Sequence, residues 1–251
     1  MITGSYLFCF NAVIPLRHSP DDRSEIVNQV LFGETAILLD RKEQWLKIKC
    51  LHDQYEGWVD HKQFFQIEEQ TLLNWQLESH RSLVEFLEIQ TSFGKFTLPK
   101  GALIPKEKSY KIKNFQLEIN HYQTESTSIV QLAKHYLNAP YLWGGRTIFG
   151  IDCSGFTQTI MHQLGQNIPR DASMQVNIGE NIDFKSSESG DFAFFHNSSN
   201  KITHVGIIIE NEKIIHASGR IRIDTLTKEG IFNEEINDLT HKLHSINRII
   251  N

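Results

Sequence analysis

One cysteine and two histidines in the second half of the chain are residue types that together can break an amide bond. Cys153 lies in Ile151-Asp152-Cys153-Ser154-Gly155, at the start of a helix predicted to run to about residue 164. Free backbone N–H groups and the positive end of the helix dipole stabilise an anion at such a position. We therefore predict that Cys153 is a thiolate nucleophile near neutral pH.

A thiolate that attacks an amide needs an acid to protonate the leaving amine, and an imidazolium beside the sulfur supplies that proton. His204 and His216 lie on strands predicted at 204–210 and 213–217. If the turn that joins these strands holds an odd number of residues, both rings point to one face at diagonal positions. This pattern predicts a Cys–His–His relay in which His204 is the base and His216 orients it.

The elements predicted around these three residues are those of an α+β domain, with helices first and antiparallel strands afterwards. Apolar residues recur at helical spacing after Ser128, which is predicted to cap a helix, and the Cys153 helix follows. Further strands are predicted at 191–195 and 245–250. We assign this domain to residues 126–251.

The first half of the chain is predicted to be all-β. Residues 1–66 alternate short apolar runs with turn residues at the spacing of a small barrel. A helix is predicted at about 68–78, and 93–122 has the pattern of strands punctuated by glycine and proline. For residues 67–125 a second, shorter SH3-like barrel and a structured linker are both open. The polar stretch 124–128 marks the domain boundary.

Composition and charge exclude several classes of protein. The chain has 40% hydrophobic and 22% charged residues, which is typical of folded globular proteins. A formal charge of −5 without clustered Lys or Arg argues against a nucleic-acid partner. The apolar stretch 6–14 is interrupted by Asn11 and preceded by no basic residue, so it fits neither a signal peptide nor a membrane span. We expect no membrane association and a cytoplasmic location.

Six sequence blocks resemble the NlpC-type bacterial cell-wall cysteine peptidases in order and approximate spacing. The blocks are Tyr141-Leu142-Trp143-Gly144-Gly145, Asp152-Cys153-Ser154-Gly155-Phe156, Pro169-Arg170-Asp171-Ala172, Ser189-Gly190-Asp191-Phe192, His204-Val205-Gly206 and His216-Ala217-Ser218. The resemblance implies a papain-like α+β catalytic domain that cleaves peptidoglycan stem peptides, typically between γ-D-glutamate and the diamino acid. It also implies that Cys153 is the nucleophile, His204 the base and His216 the third polar residue.

The same resemblance assigns the residues around the nucleophile. It implies that the Tyr141 hydroxyl faces Cys153 and helps to bind the oxyanion, as a side-chain donor aimed at developing charge should. Trp143 is expected at the substrate site, with a place in the core as the alternative for both aromatic residues. Three residues after the nucleophile helix are expected to line the substrate groove: Arg170, Asp171 and Ser173.

Residues 1–66 resemble the bacterial SH3-like domain over their whole length. The matching segments are Val13-Ile14-Pro15-Leu16-Arg17, Leu31-Phe32-Gly33-Glu34, Gln44-Trp45-Leu46-Lys47-Ile48 and Tyr55-Glu56-Gly57-Trp58-Val59-Asp60. The combination of this module with the catalytic domain resembles the γ-D-glutamyl-L-diamino acid endopeptidases that trim free muropeptides. The alternative is a generic small β domain without a recognition role.

In that subgroup a tyrosine before Gly-Trp and the Asp and Ser beside the nucleophile hold the free α-amine of an N-terminal L-alanine. The matching residues here are Tyr55, Asp152 and Ser154. An ammonium buried without a carboxylate is costly, so Asp152 would select substrates with a free amine. The resemblance thus implies release of L-Ala-γ-D-Glu. Asp152 also stands where it can cap the helix, and it can do both.

The predicted chemistry needs no metal and no cofactor, because a thiol–imidazole site works without them. His241 and His244 have the i, i+3 spacing of some metal ligands, but no acidic or sulfur residue nearby completes a site. Cys9 and Cys50 are expected to be buried free thiols, which fit a reducing compartment. The expected partner is a peptidoglycan stem peptide, and a monomer is favoured.

Three other functions are consistent with the sequence. An SH3-like domain that anchors the enzyme to polymeric murein would make the protein a cell-wall DL-endopeptidase. A thiol acyltransferase would use the same Cys–His pair on another acyl donor. A catalytically silent binding module is the third alternative, although the intact cysteine and histidines argue against it.

Overall fold

The computed structural model describes residues 1–120, 128–210 and 212–249. Contacts along the chain divide it into two compact units. The first consists of Met1–Glu125 with Gly165–Asn167, and the second consists of Ser126–Leu164 with Ile168–Asn251. Most of the predicted boundary stretch, 124–127, lies outside the described residues.

The first unit is built almost entirely of strands. Its elements are β1 (Tyr6–Cys9), β2 (Val13–Arg17), β3 (Ile26–Leu31), β4 (Thr35–Lys42), β5 (Trp45–Cys50), β6 (Glu56–Asp60), β7 (Phe64–Ile67), α1 (Glu69–Glu78), β8 (Ser79–Arg81), β9 (Phe86–Thr91), β10 (Gly94–Pro99), β11 (Leu103–Pro105), β12 (Ser109–Ile112) and β13 (Phe115–Ile119). A short 3-10 helix, His61–Gln63, joins β6 to β7. The predicted strand-rich pattern of this half is confirmed.

Strands β1 to β7 form one antiparallel sheet in the order β3-β2-β6-β5-β4-β1-β7. Burial alternates along its strands, as in β2, where Ile14 and Leu16 are buried and their neighbours are not. This alternation follows from the two-residue repeat of a strand, which sends successive side chains to opposite faces. The inward side chains, among them Leu7, Leu46 and Val59, form a continuous hydrophobic core.

The remaining strands of the first unit share a core with that sheet. Strands β9, β10, β12 and β13 form a four-stranded sheet, and β8 pairs with β11. Trp75 on α1 is fully buried, and its Nε1 donates to the carbonyl oxygen of Gly33 at 2.8 Å. The core around it combines Phe8 and Phe32 with Leu117 of β13. Helix α1 was predicted correctly, whereas the second barrel stays a prediction.

The second unit combines short helices with a larger antiparallel sheet. Its elements are α2 (Ile129–Lys134), β14 (Arg146–Thr147), β15 (Gly150–Ile151), α3 (Cys153–Gln163), α4 (Ala172–Gln175), β16 (Glu180–Ile182), β17 (Phe192–His196), β18 (Ile202–Glu210), β19 (Lys213–Ser218), β20 (Arg220–Leu226), β21 (Gly230–Asn233) and β22 (Asp238–Arg248). The predicted strands correspond to β17, β18, β19 and the end of β22. Strands β14, β15, β16, β20 and β21 were missed.

The strand order of the larger sheet is β16-β22-β17-β18-β19-β20-β21. Because β21 also pairs with β22, the six strands β17 to β22 close on themselves. The core of this sheet includes Ala193, Phe195, Ile214 and Ile231. Strand β22 begins at Asp238 rather than at residue 245, and most of its first seven residues are exposed, which removes the apolar alternation from which a strand is predicted.

Local hydrogen bonds explain where the helices begin. The Ser128 side chain accepts from the Gln131 N–H while the Gln131 side chain accepts from the Ser128 N–H, a capping box that confirms the predicted N-cap. Helix α3 is capped by Asp152 and is buried along most of its length. A Cβ at Gly155 would collide with the carbonyl oxygen of Gly145. The segment that contains Gly145 can therefore approach α3 this closely only because residue 155 is glycine.

None of the helices within residues 1–120, 128–210 and 212–249 is long and apolar enough to cross a membrane.

Candidate active site

The N-terminus of α3 meets strand β18 beside His204. The Cys153 sulfur lies 4.0 Å from the carbonyl oxygen of Thr203. The backbone N–H of Val205 also bonds to this sulfur. Because these two residues flank His204, the thiol of the first helical residue lies next to the strand position that carries the predicted base.

The environment of Cys153 favours the neutral thiol. Burial raises its pKa to about 12, and the carboxylate of Asp152 adds to the rise, while the N–H of Val205 and the charge of Arg170 only partly offset it. Burial disfavours the charged form of any acid. Burial therefore favours the neutral thiol over the predicted thiolate in this structure, with desolvation the largest influence on the pKa.

His204 and His216 are diagonal neighbours on adjacent strands, as predicted. Gly206 pairs with His216, which places His204 two residues away on the same face. Nε2 of His204 lies 2.8 Å from Nδ1 of His216. The strands are separated by an even number of residues, but a register shift between Ile208 and Glu210 adds one residue and restores the required parity.

The hydrogen-bond chain continues to a residue that the sequence analysis missed. Nε2 of His216 lies 2.8 Å from Oδ2 of Asp224 on β20. His216 pairs with Arg222, so Asp224 is again at the diagonal position on the same face. The guanidinium of Arg222 holds the same carboxylate, with Nε 2.7 Å from Oδ2. The alternation of charged and apolar residues over 220–224 was the signal that could have indicated this strand.

The charge of Asp224 fixes the protons along this chain. Burial alone would raise its pKa, but hydrogen bonds from His216 and Arg222 outweigh burial and hold the pKa below its ordinary value. An ionised carboxylate only accepts, so Nε2 of His216 carries a proton, and in the neutral ring Nδ1 then accepts from Nε2–H of His204. Nδ1 of His204 is left unprotonated, and it is the nitrogen that can take the thiol proton.

His241 on β22 packs against the base. Its ring stacks on that of His204 with 4.2 Å between centroids and 28° between planes. Burial lowers the pKa of His204 well below its ordinary range, and the charges of His216 and His241 lower it further. Burial and His216 likewise lower the pKa of His241 to about 4. His204 and His241 therefore favour the neutral form, and the ring nitrogens of His204, His216 and His241 could hold a metal ion.

Tyr141 lies at the edge of the same site. An isolated bridge pairs it with Ile151, and its N–H donates to the carbonyl oxygen of Gly219. Burial raises the pKa of its phenol to about 12, and the charges of Cys153 and Asp152 contribute to the rise. The hydroxyl therefore keeps its proton at neutral pH and can donate to an oxyanion. Because the side chain is 37% exposed, the alternative of a core aromatic does not hold.

Asp152 caps the helix and pairs with Arg170. Oδ1 accepts from the Gly155 N–H at 2.7 Å and from Nη1 of Arg170 at 2.9 Å. Oδ2 accepts from the Gly144 N–H at 2.8 Å and from Nη2 of Arg170 at 2.5 Å. A carboxylate offers about four acceptor positions. Protein donors therefore occupy the acceptor capacity that the sequence analysis assigned to a substrate ammonium.

Arg170 does not line an open groove, which corrects the prediction. It is 2% exposed, and Nη1 also donates to Oγ of Ser154 at 2.9 Å. A guanidinium matches a carboxylate in two parallel hydrogen bonds, and burial of Asp152 beside the nucleophile requires such a partner. Arg170 thus fixes the side chains of Asp152 and Ser154 through buried hydrogen bonds.

The other predicted substrate residues lie on nearby segments or in the first unit. Trp143 is 59% exposed, so it is not a core residue. Asp171 precedes α4 without capping it, and Ser173 is exposed on that helix. Tyr55 belongs to the first unit, where it is partly buried against the core of the first sheet. The structure thus brings together Cys153 and six of its predicted partners: His204, His216, Tyr141, Asp152, Ser154 and Arg170.

Comparison with known proteins identifies both modules. Residues 138–238 match the NlpC/P60 family, and residues 16–64 match the bacterial dipeptidyl-peptidase SH3 domain. The chain is 31% identical over 242 residues to the gamma-D-glutamyl-L-lysine dipeptidyl-peptidase of Bacillus subtilis (strain 168), covering 84% of this chain and 79% of the relative. It is 28% identical over 226 residues to the Bacillus cereus (strain ATCC 10987 / NRS 248) protein of the same name, covering 77% and 68%.

A solved structure shares the fold over nearly the whole chain. The crystal structure of an NlpC/P60 family protein from Bacillus cereus ATCC 10987 has a TM-score of 0.82 at 19% identity and covers 98% of this chain and 100% of its own. At that identity the likeness shows the fold alone. The sequence matches go further: the chain belongs to the NlpC/P60 family and is a cysteine peptidase with an SH3-like domain ahead of its catalytic domain.

Proposed function

We propose that the protein hydrolyses the bond between γ-D-glutamate and the diamino acid of muropeptides that carry a free N-terminal L-alanine. The observation that carries the proposal is the hydrogen-bond chain from His204 through His216 to Asp224, which leaves a basic nitrogen beside the Cys153 thiol. The two relatives named gamma-D-glutamyl-L-lysine dipeptidyl-peptidase support this choice of substrate. The arrangement of a cysteine helix against a histidine sheet supports the papain-like description of the catalytic domain.

Both partners of the reaction are neutral at rest, so the thiol proton moves as the sulfur attacks. Nδ1 of His204 takes the proton of Cys153 while the sulfur bonds to the γ-carbonyl carbon of D-glutamate. The carbonyl oxygen becomes an oxyanion, to which the Tyr141 hydroxyl donates. The N-terminus of α3 adds favourable partial charge.

The intermediate then collapses through His204. The imidazolium returns its proton to the amine of the diamino acid, the C–N bond breaks, and L-Ala-γ-D-Glu remains bound to Cys153 as a thioester. His204 next accepts a proton from water as the water attacks the thioester, and that proton returns to the sulfur when the dipeptide leaves. Asp224 stays ionised throughout and stabilises the protonated state of the histidine pair.

The proposed preference for a free amine rests on Asp152 and Ser154, and a role for Tyr55 stays a prediction. Since protein donors already occupy both oxygens of Asp152, the substrate ammonium would take the place of one of them. The Gly144 N–H is a neutral donor, and an ammonium bonds to a carboxylate more strongly than a neutral donor does. We therefore propose an exchange at Oδ2, with Arg170 retained.

A cytoplasmic location is also part of the proposal. Cys9, Cys50 and Cys153 are all free thiols. Unpaired cysteines persist in reducing compartments, which supports action on soluble muropeptides rather than on the polymeric wall. The monomeric state stays a prediction.

The decisive experiment is mass-spectrometric cleavage of L-Ala-γ-D-Glu-diaminopimelate, its L-lysine counterpart and the N-acetylated form of each. We expect wild-type protein to release L-Ala-γ-D-Glu from the free-amine peptides only, and Cys153→Ala to release none. Equal cleavage of the acetylated peptides would reject the amine site and favour a murein-anchored endopeptidase. Absence of cleavage in all four peptides would reject the proposed function and favour an acyltransferase or a binding module.

A further inference from the structure

Three imidazole rings of the catalytic domain, those of His204, His216 and His241, lie together and could bind a metal ion. Ring nitrogens of His204, His216 and His241 all lie within 4.8 Å of one another. The ring of His216 stands nearly perpendicular to both others, at 85° and 82°. Imidazole nitrogens are good ligands for zinc, copper and nickel, and three of them suffice for a zinc site with one open position.

The hydrogen bonds around these rings leave suitable atoms for coordination. Thr240 Oγ1 lies 2.8 Å from Nδ1 of His241, which leaves Nε2 of that ring as its ligand atom. Nδ1 of His216 carries a lone pair, because Nε2–H of the same ring is bound to Asp224. Metal-bound histidines commonly donate their second N–H to a carboxylate in this way. Asp224 therefore already accepts the N–H that His216 would donate as a metal ligand.

We propose that His204, His216 and His241 form an inhibitory site for a divalent transition metal such as Zn²⁺. In a tetrahedral site with Zn–N distances of about 2.0–2.1 Å, the nitrogens lie about 3.3 Å apart. Nε2 of His204 and Nδ1 of His216 now lie 2.8 Å apart and the ligand atoms all lie within 4.8 Å of one another, so the rings must rotate to direct their lone pairs at the ion. The metal-binding part is independent of the proposed function, whereas inhibition depends on it.

Coordination would disable the base without removing any proton from the protein. In the resting relay the single proton of His204 is on Nε2, which bonds to His216. A metal at Nε2 needs the lone pair of that nitrogen, so the proton moves to Nδ1. Nδ1 is the nitrogen that takes the proton of Cys153 in the proposed mechanism, and once protonated it can no longer do so. The bound metal and the active tautomer of His204 thus exclude each other.

Metal binding can be measured apart from catalysis in the Cys153→Ala protein, which has no thiol at the site. We expect titration with Co²⁺ to give one equivalent with a tetrahedral visible spectrum, competed by Zn²⁺. Adding His241→Ala should remove that equivalent. Adding His244→Ala, an exposed histidine of the same strand, should retain it. The loss of one ligand should weaken binding by at least about 10–100-fold, the cost seen even for second-shell changes.

Inhibition is measured on wild type, His241→Ala and His244→Ala as the ratio of peptidase activity with Zn²⁺ to activity with EDTA, so that a change in basal activity cancels. We expect the inhibitory Zn²⁺ concentration to rise at least tenfold in His241→Ala and to stay within twofold in His244→Ala. Equal sensitivity of His241→Ala and wild type would overturn the proposal and assign inhibition to the thiol. Retained Co²⁺ binding without any peptidase activity in EDTA would support the site while rejecting the proposed function.

Discussion

Replacement of Asp224 tests whether catalysis uses the proposed relay or only a Cys–His pair. The change Asp224→Asn keeps the volume but replaces an acceptor with an amide. Nε2 of His216 and Nε of Arg222 both contact Oδ2, so the amide oxygen is expected at that position and the NH₂ group at the position of Oδ1. His216 would then keep its proton on Nε2. The negative charge that stabilises the protonated histidine pair during the reaction would be lost.

The size of the effect follows from the charge that is lost. A hydrogen bond to a charged group contributes about 1.5–3 kcal/mol. At about 1.36 kcal/mol per tenfold in rate, loss of the charged partner of His216 predicts a fall in kcat of at most about 10- to 150-fold. Since Asp224 is 5% exposed and does not contact the substrate in the proposed mechanism, KM should change little.

The assay is steady-state hydrolysis of L-Ala-γ-D-Glu-diaminopimelate from pH 5 to 9, with circular dichroism to confirm folding. Glu235→Gln is the matched control, because Glu235 also binds Arg222, at 2.8 Å, but from the exposed side. We expect the control to keep kcat within about twofold, as exposed ion pairs contribute about 0–1 kcal/mol. A folded Asp224→Asn protein with wild-type kcat across this pH range would refute the role of the Asp224 charge in the relay.

Three further changes test other parts of the site. Tyr141→Phe should lower kcat about 10²–10³-fold with little change in KM, as loss of one oxyanion donor does, and stopped-assay product analysis would measure it. Arg170→Met should lower the free energy of unfolding by about 3–5 kcal/mol in urea because it leaves the buried Asp152 carboxylate unpaired, whereas the exposed Arg220→Met should cost under about 1 kcal/mol. The pKa of His241 is about 4 in the folded protein and near 6.5 in the unfolded chain. As pH falls below about 6.5, the unfolded state therefore binds a proton that the folded state does not, and the free energy of unfolding decreases. His241→Phe should therefore flatten the loss of unfolding free energy between pH 7 and pH 5, and an unchanged slope would contradict this account.

The sequence alone was sufficient for the local features. Ser128 and Asp152 cap the helices that were predicted to follow them, because an N-cap depends on a side chain and the next three backbone N–H groups. The strands of the two relay histidines were predicted from the sequence, but the face they share depends on the register shift between Ile208 and Glu210, which the tertiary structure supplies. Motif order and spacing were enough to identify the resemblance that the family matches confirm.

Only the tertiary structure determined the electrostatics and the outer members of the site. Asp224 and His241 join His204 and His216 because β20 and β22 take particular places in the sheet, and register between distant strands is not encoded in local spacing. Arg170 was predicted as a groove residue, but burial beside Asp152 makes it an ion-pair partner. Burial also opposes the predicted ionisation of Cys153, since desolvation depends on every element packed around the sulfur, whereas the helix dipole depends only on the helix itself.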